Sequence, residues 1–215
     1  MAFVPGKSIS MANARTYLDL LAPGYPPASI GGALTTNGTT TTHLLSLQPY
    51  GTGTYVCNAS SAMQAAFLAF DRAANYNFWL SGNFYDRPSG LPNVAQVAVT
   101  TYSNLASGLN ESALGEWLQI TIPANIVPTS YVLTSSSARY RMPIRHVLLG
   151  SNNATTWTLL NTHSTTNPWN LIETRRIPIN IIANTAYNTF RVVGLQLQPA
   201  QEVSFAVTDL WICGY

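Results

Sequence analysis

The sequence predicts an all-β antiparallel fold, a sandwich or a barrel, preceded by a short N-terminal arm. Three observations lead there. From Leu44 onward the chain is built of short runs rich in Val, Ile, Thr and aromatic residues, most of them alternating apolar with polar. Gly, Pro, Asn and Ser clusters separate these runs. No run of strands alternates with long helical patterns, so βαβ units and a parallel sheet are excluded.

The first 45 residues differ from the rest. SMANARTYLDLLAPGYPP contains a possible short helix, Ala12 to Leu21, ended by Pro23 and Gly24. The following IGGALTTNGTTTTH offers little to pack. Two readings stand: residues 1–45 are an arm or linker, or they supply an N-terminal strand that extends a sheet. Residues 46–215 form the β domain on either reading.

Within that domain the expected strands are HLLSLQ, TYVCNAS, VAQVAVTTY, WLQITI, SYVLTS, IRHVLLG, TWTLLN, RIPINIIA, TFRVVGLQL and EVSFAVTDLWIC. Alternation assigns faces. In WLQITI, Leu118, Ile120 and Ile122 oppose Trp117, Gln119 and Thr121. In FRVVGLQL, Phe190, Val192, Gly194 and Gln196 oppose Arg191, Val193, Leu195 and Leu197. SAMQAAFLAF, Ser61 to Phe70, is the one clear helical segment. VLLGSNNATTWTLL reads as a hairpin, with Asn152 and Asn153 taking the positive φ values of a tight turn. Trp157 then starts the returning strand and covers the core beside Val147 and Leu149.

Composition narrows the function. Charged residues are 8% of the chain and hydrophobic residues 47%, against about 25% charged in an average soluble domain. Solubility therefore rests on Ser, Thr, Asn and Gln, a surface suited to an extracellular face or a packed assembly. A net charge of +2, with arginines scattered in strand-like segments, lacks the dense basic stripe of a nucleic-acid binder. No run approaches the roughly 18 apolar residues of a membrane span. The N-terminus lacks the pattern of a secretory signal, so a chain starting at Met1 is expected to be made in the cytosol. Cys57 and Cys213 are the only cysteines; compartment logic favours two buried free thiols, while a bridge requires their strands to pair.

Landmarks in order add a resemblance. YVCNASS, AAFLAFD before Trp79, GEWLQITIP, SYVLTSSSARY, HVLLGSNNATTWTLLNTH, NTFRVVGLQL and VSFAVTDLWICGY succeed one another from about Tyr50 to Tyr215. This succession resembles the discoidin or coagulation-factor type C family, whose fold is the galactose-binding-like, jelly-roll β-sandwich. Asn153-Ala154 stands where family members usually carry Asp-Gly. The resemblance implies a sandwich whose end loops hold ligand: the loop after Asp71, the loop around Ser135 to Pro143, and the loop from Thr162 to Asn170. Those loops supply Tyr76, Trp79, Tyr85, Arg87, Arg139, Tyr140 and Trp169 as ligand-binding residues, aromatic faces with polar groups beside them. Trp79 and Trp117 also match family tryptophans that pack the core, whereas Tyr85, Arg87 and Trp169 have no such counterpart. Asp71 matches a calcium-binding turn of some members, but Arg72 replaces the usual glycine and no second carboxylate is near, so a structural role within its own loop is expected.

Covalent chemistry finds no support. His43, His146 and His163 are isolated, no zinc spacing or GxSxG is present, and the carboxylates are scattered. Asp71 and Asp86 are each followed by an arginine, which favours ion pairing over acid and base work. The expectation is a non-enzymatic structural or adhesion protein without cofactor or metal. It would be a virion component (minor capsid, vertex or fibre), with other structural subunits as homo- or hetero-oligomeric partners and a glycan as a further ligand. The alternative is a secreted or cell-surface lectin-like module binding glycans or lipid headgroups. No nucleic acid and no transmembrane segment enter either reading.

Overall fold

The computed structural model describes residues 24–26, 53–72, 77–180, 184–199 and 202–215. The strands are β1 (Gly24–Tyr25), β2 (Val56–Ala59), β3 (Trp79–Leu80), β4 (Val99–Asn104), β5 (Leu109–Leu114), β6 (Trp117–Ile126), β7 (Pro128–Thr134), β8 (Pro143–Ser151), β9 (Thr158–Ser164), β10 (Thr174–Pro178), β11 (Tyr187–Leu197), β12 (Ala206–Val207) and β13 (Asp209–Gly214). A four-stranded sheet has the order β1-β13-β7-β10, a seven-stranded sheet the order β2-β6-β11-β8-β9-β4-β5, and β12 pairs with β3. Pairing is antiparallel except at Ser103 and Thr158, where β4 touches β9 in parallel.

The two large sheets face each other across one core. Tyr131 and Leu133 of β7, Leu210 and Ile212 of β13 and Ile177 of β10 meet Leu118, Ile120 and Ile122 of β6, Phe190 and Val192 of β11, and Leu148 of β8. The expected faces of WLQITI are therefore the observed ones. Leu197 joins this core although strict alternation sets it opposite Phe190. Register shifts after Gly194 and after Gln196 turn the strand over and deliver Leu197 inward.

Of the two readings of residues 1–45, Gly24 and Tyr25 follow the strand that extends a sheet: they pair with Cys213 and Ile212 at a sheet edge, and Tyr25 is buried in the core. The folded domain thus reaches back to Gly24. The expected helix at Ala12 to Leu21 and the expected strand HLLSLQ lie outside the described residues. Ser61 to Phe70 forms a 3-10 helix at Met63–Ala69 in place of an α-helix. Its three-residue period sets Ala66 and Ala69 together in the core, followed by Phe70.

The hairpin connects β8 to β9 as expected, but a different residue bends it. Ala154 has φ 58, while both asparagines act through their side chains. Asn153 Oδ1 accepts from the N–H groups of Thr155 and Thr156, and Asn152 clamps Ala186 O and Asn188 N across the sandwich end. Trp157 does pack with Val147 and Leu149, but on the face of the large sheet turned away from the main core. There the β4–β5 hairpin folds back and adds Tyr102 and Ala113, closing a second small core with Leu159 and Val193. β5 had no counterpart among the expected strands. VAQVAVTTY is a strand only from Val99, after a loop through Val94 to Ala98.

Arg191 ties this second core together. Its guanidinium lies 3.8 Å from the centre of the Trp117 ring and 4.2 Å from that of Trp157. It donates to Gln119 Oε1 and to Thr100 Oγ1, joining β6, β11 and β4. Burial draws its pKa down to about 10. Cys57 and Cys213 are both buried and free, on different sheets.

Candidate functional site

At one end of the sandwich four connections converge: the β3–β4 loop, the β7–β8 loop, the β9–β10 loop and the β11–β12 loop. Backbone and side-chain bonds lock them to each other. Tyr85 N–H donates to Val203 O, Gln198 N–H to Met142 O, and Trp169 N–H to Gln198 Oε1. Arg141 Nε donates to Glu202 Oε2 at 3.0 Å, an ion pair between the second and the fourth connection.

The β3–β4 loop carries the candidate site. Asp86 organises its turn, accepting from both the N–H and the hydroxyl of Ser89, which holds its carboxyl below the usual range. Gly90, with φ +67, lies so close to β11 that a Cβ would fall 2.2 Å from Leu197 O. The loop therefore rests on the sheet through Leu197 N–H to Gly90 O and Gln196 Nε2 to Ser89 O. Gly82 does the same for an aromatic ring: a Cβ there would stand 2.4 Å from the Phe84 ring, so glycine lets that ring approach the backbone closely. Ser204 fixes Asn83 by donating to its Oδ1 at 2.7 Å.

The result is a shallow depression of about 580 Å³. Phe84 is half-buried in it, and Asn83, Arg87, Asn93, Gln96 and Val203 stand around the ring. Arg87, Asn83, Asn93 and Gln96 are exposed and offer amide and guanidinium groups to solvent. Among the described residues that line the depression, Asp86 is the one carboxylate, and Ser89 engages it. A single occupied carboxylate does not make a paired acid and base. The arrangement suits packing of an aliphatic ring face on Phe84 with hydrogen bonds from the rim.

The sequence-based site residues divide. Arg87 is on the rim of the depression, exposed. Tyr85 is beneath it, 3% exposed, and serves as a strut: its hydroxyl donates to Gly194 O and accepts from Glu116 N–H. Trp79 and Trp169 are corrected from ligand contact to packing, being 0% and 1% exposed. Trp79 donates to Ser61 O and meets Phe205 edge to face, while Trp169 donates to Pro143 O under Arg175. Their rings fill space between the sheets that water and ligand do not reach. Tyr140 is half-buried and lies in the 3-10 turn Arg139–Arg141, next to the Arg141–Glu202 pair and outside the depression's lining; Arg139 belongs to the same turn, and its side chain lies outside the described residues. Tyr76 lies outside the described residues. Phe84 was visible in the loop as one aromatic among several; Asn93, Gln96 and Val203 carried no signal, since only folding brings Val203 beside Asn83.

Asp71 is buried, and Arg72 pairs with Asp209 at 4.0 Å while stacking on Trp211. Among the described residues, no three His, Cys, Asp or Glu side chains cluster as metal ligands. No helix among them is long and apolar enough to cross a membrane.

No protein-family model matches the chain, and no curated protein does. Solved structures do match. CBM32-3 from a family 31 glycoside hydrolase of Clostridium perfringens superposes with a TM-score of 0.50 at 14% identity, over 74% of this chain and 91% of the other. The F5/8 type C domain of a Bacteroides fragilis protein gives 0.48 at 14% identity, over 82% and 97%. CBM32-5 of Clostridium perfringens, solved in complex with GalNAc-β-1,3-galactose, gives 0.48 at 11% identity, over 74% and 94%. The match at a TM-score of 0.50 and 14% identity concerns architecture, and it agrees with the two facing antiparallel sheets described above. The chain has the discoidin-like, galactose-binding-like β-sandwich fold.

Proposed function

We propose that this chain is a non-catalytic recognition module that binds a glycan in the depression at the end of the sandwich. One observation carries the reading: the Phe84 ring, laid on Gly82, is surrounded by the exposed hydrogen-bonding groups of Asn83, Arg87, Asn93 and Gln96. A sugar ring presents a C–H face and a hydroxyl edge, and this site complements both. The loop is braced by Tyr85, Asp86 and Gly90, so little ordering is needed on binding.

A glycan array followed by calorimetry tests the reading, with galactose and GalNAc-β-1,3-galactose as first probes. Phe84→Ala and Arg87→Ala should each abolish binding while leaving the melting temperature unchanged within a few degrees. Binding that survives both substitutions places the ligand elsewhere.

A second reading, an assembly subunit of a virus particle, has its own support. Val99, Leu105 and Leu109 on the β4–β5 hairpin are 63%, 57% and 64% exposed, an apolar flank on a low-charge surface. Sedimentation of the purified chain tests it; a monomer at high concentration counts against self-assembly.

A further inference from the structure

The arginines of the sandwich differ in what they face. Arg72 has Asp209, Arg141 has Glu202 and Arg175 has Glu173 as a carboxylate partner, and Arg191 is held between two tryptophans. Arg87 is exposed on the rim of the Phe84 depression, and its guanidinium enters no hydrogen bond, ion pair or ring contact with a described residue. The carboxylate next to it in sequence does not take that place. Asp86 turns its Oδ2 to Ser89, accepting from the N–H at 3.1 Å and from the hydroxyl at 2.7 Å.

The neighbours of Arg87 on the rim are donors too. The Ser204 hydroxyl occupies Asn83 Oδ1 at 2.7 Å, and the Ala95 N–H occupies Asn93 Oδ1 at 3.2 Å. Each amide therefore has its acceptor engaged within the protein and its Nδ2 hydrogens unused among the described residues. Two loop carbonyls are committed as well: Phe84 O accepts from the Asn93 N–H, and Val203 O from the Tyr85 N–H. Among the described side chains that line the depression, Asp86 Oδ1 and Gln96 Oε1 are the acceptors left, against the donors of Arg87, Asn83, Asn93 and Gln96.

That imbalance selects a ligand. A neutral sugar hydroxyl both donates and accepts, so a rim dominated by donors leaves hydroxyl protons without acceptors. A carboxylate or a sulfate ester only accepts, and a guanidinium gives it a two-pronged, charge-assisted bond. Resting on the glycan reading above, we propose that the sugar bound in the depression is acidic: a pyranose that packs its C–H face on Phe84 and presents a carboxylate or sulfate ester to Arg87, with Asn83 and Asn93 donating beside it. Phe84 then supplies the affinity common to any sugar, and Arg87 sets the preference for charge.

The full chain is titrated by calorimetry at about pH 7, where a uronic acid is ionised, with sodium galacturonate, its uncharged methyl ester, galactose 6-sulfate and galactose, at low and at high salt. Galacturonate or the sulfate is expected to bind about threefold to tenfold tighter than the ester and galactose, the scale of an exposed charge-assisted bond. High salt should shrink that advantage and leave the neutral sugars as they were. Arg87→Gln, which keeps an amide and removes the charge, should weaken the acidic sugars more than the neutral ones and bring the galacturonate-to-ester ratio to about one. Phe84→Ala should weaken all four. Preference for galacturonate identifies a carboxylate, and preference for the 6-sulfate a sulfate ester. Affinities for both acidic sugars no tighter than for the ester and galactose, or a preference unchanged in Arg87→Gln, overturn the proposal while the glycan reading stands. No binding of any of the four overturns it too, and a blank glycan array in addition removes the glycan reading.

Discussion

The Tyr85 hydroxyl donates to the Gly194 carbonyl at 2.7 Å and accepts from the Glu116 N–H at 3.0 Å, pinning the β3–β4 loop to β11 and to the β5–β6 turn at once. Burial raises this phenol far above its usual range, so the hydroxyl stays protonated and keeps its donor role. Tyr85→Phe leaves a buried N–H and a buried carbonyl each short of a partner. The expected cost is about 1–3 kcal/mol in urea unfolding, with weaker glycan binding through a looser loop.

Arg191 lies between two tryptophans and hydrogen-bonds to two strands, so its loss should be felt through packing as well as charge. Arg191→Met is expected to lower stability by about 1–3 kcal/mol, read as a shift in the denaturation midpoint. Arg191→Lys should recover only part of this, because an ammonium cannot stack as a plane or donate twice to Gln119. Equal midpoints for wild type and Arg191→Met would show that the second core holds without its cation.

Two buried groups pull the pH dependence of stability in opposite directions. Burial, resisted by Arg72, raises Asp209 to about 7, so the folded chain holds a proton that the unfolded chain releases, and stability falls as pH rises from about 4 to about 7. Burial and the neighbouring His163 lower His146 to about 3, so stability falls as pH drops below the ordinary histidine range. Melting curves between these limits should show Asp209→Asn losing stability more steeply on acidification than wild type, and His146→Gln losing it less steeply.

Ala154 at φ 58 adopts a left-handed conformation that costs a residue with a Cβ about 1–2 kcal/mol. Ala154→Gly should therefore stabilise the β8–β9 hairpin by a net amount of up to about 1 kcal/mol after the entropy lost by glycine. Thermal melting reads the gain, and a drop in melting temperature would contradict the strain.

The architecture was legible because it depends on alternation. WLQITI and the first half of TFRVVGLQL, Phe190 to Val193, disclosed their core faces through period two alone, and SNNATTW disclosed its reversal. Leu197 was misplaced because a bulge has no signature at residue level, and β5 was missed because LNESAL packs a single buried alanine, Ala113. The Asn152–Asn153 pair misled for a physical reason: side chains able to bend a backbone are equally able to bridge one, and here they bridge. At the candidate site, three aromatic residues were not separated into struts and surfaces. That distinction depends on which rings the converging connections bury, and no spacing records it.

The β4–β5 hairpin curls over its own sheet like a shutter, covering Trp157 and Val193 on the flank turned away from the main core. The hairpin's own tip, Leu105 to Gly108, is exposed and lies outside the lining of the Phe84 depression. A fluorophore or a fused tag grafted there would leave the Phe84 depression open while blocking assembly through Leu105.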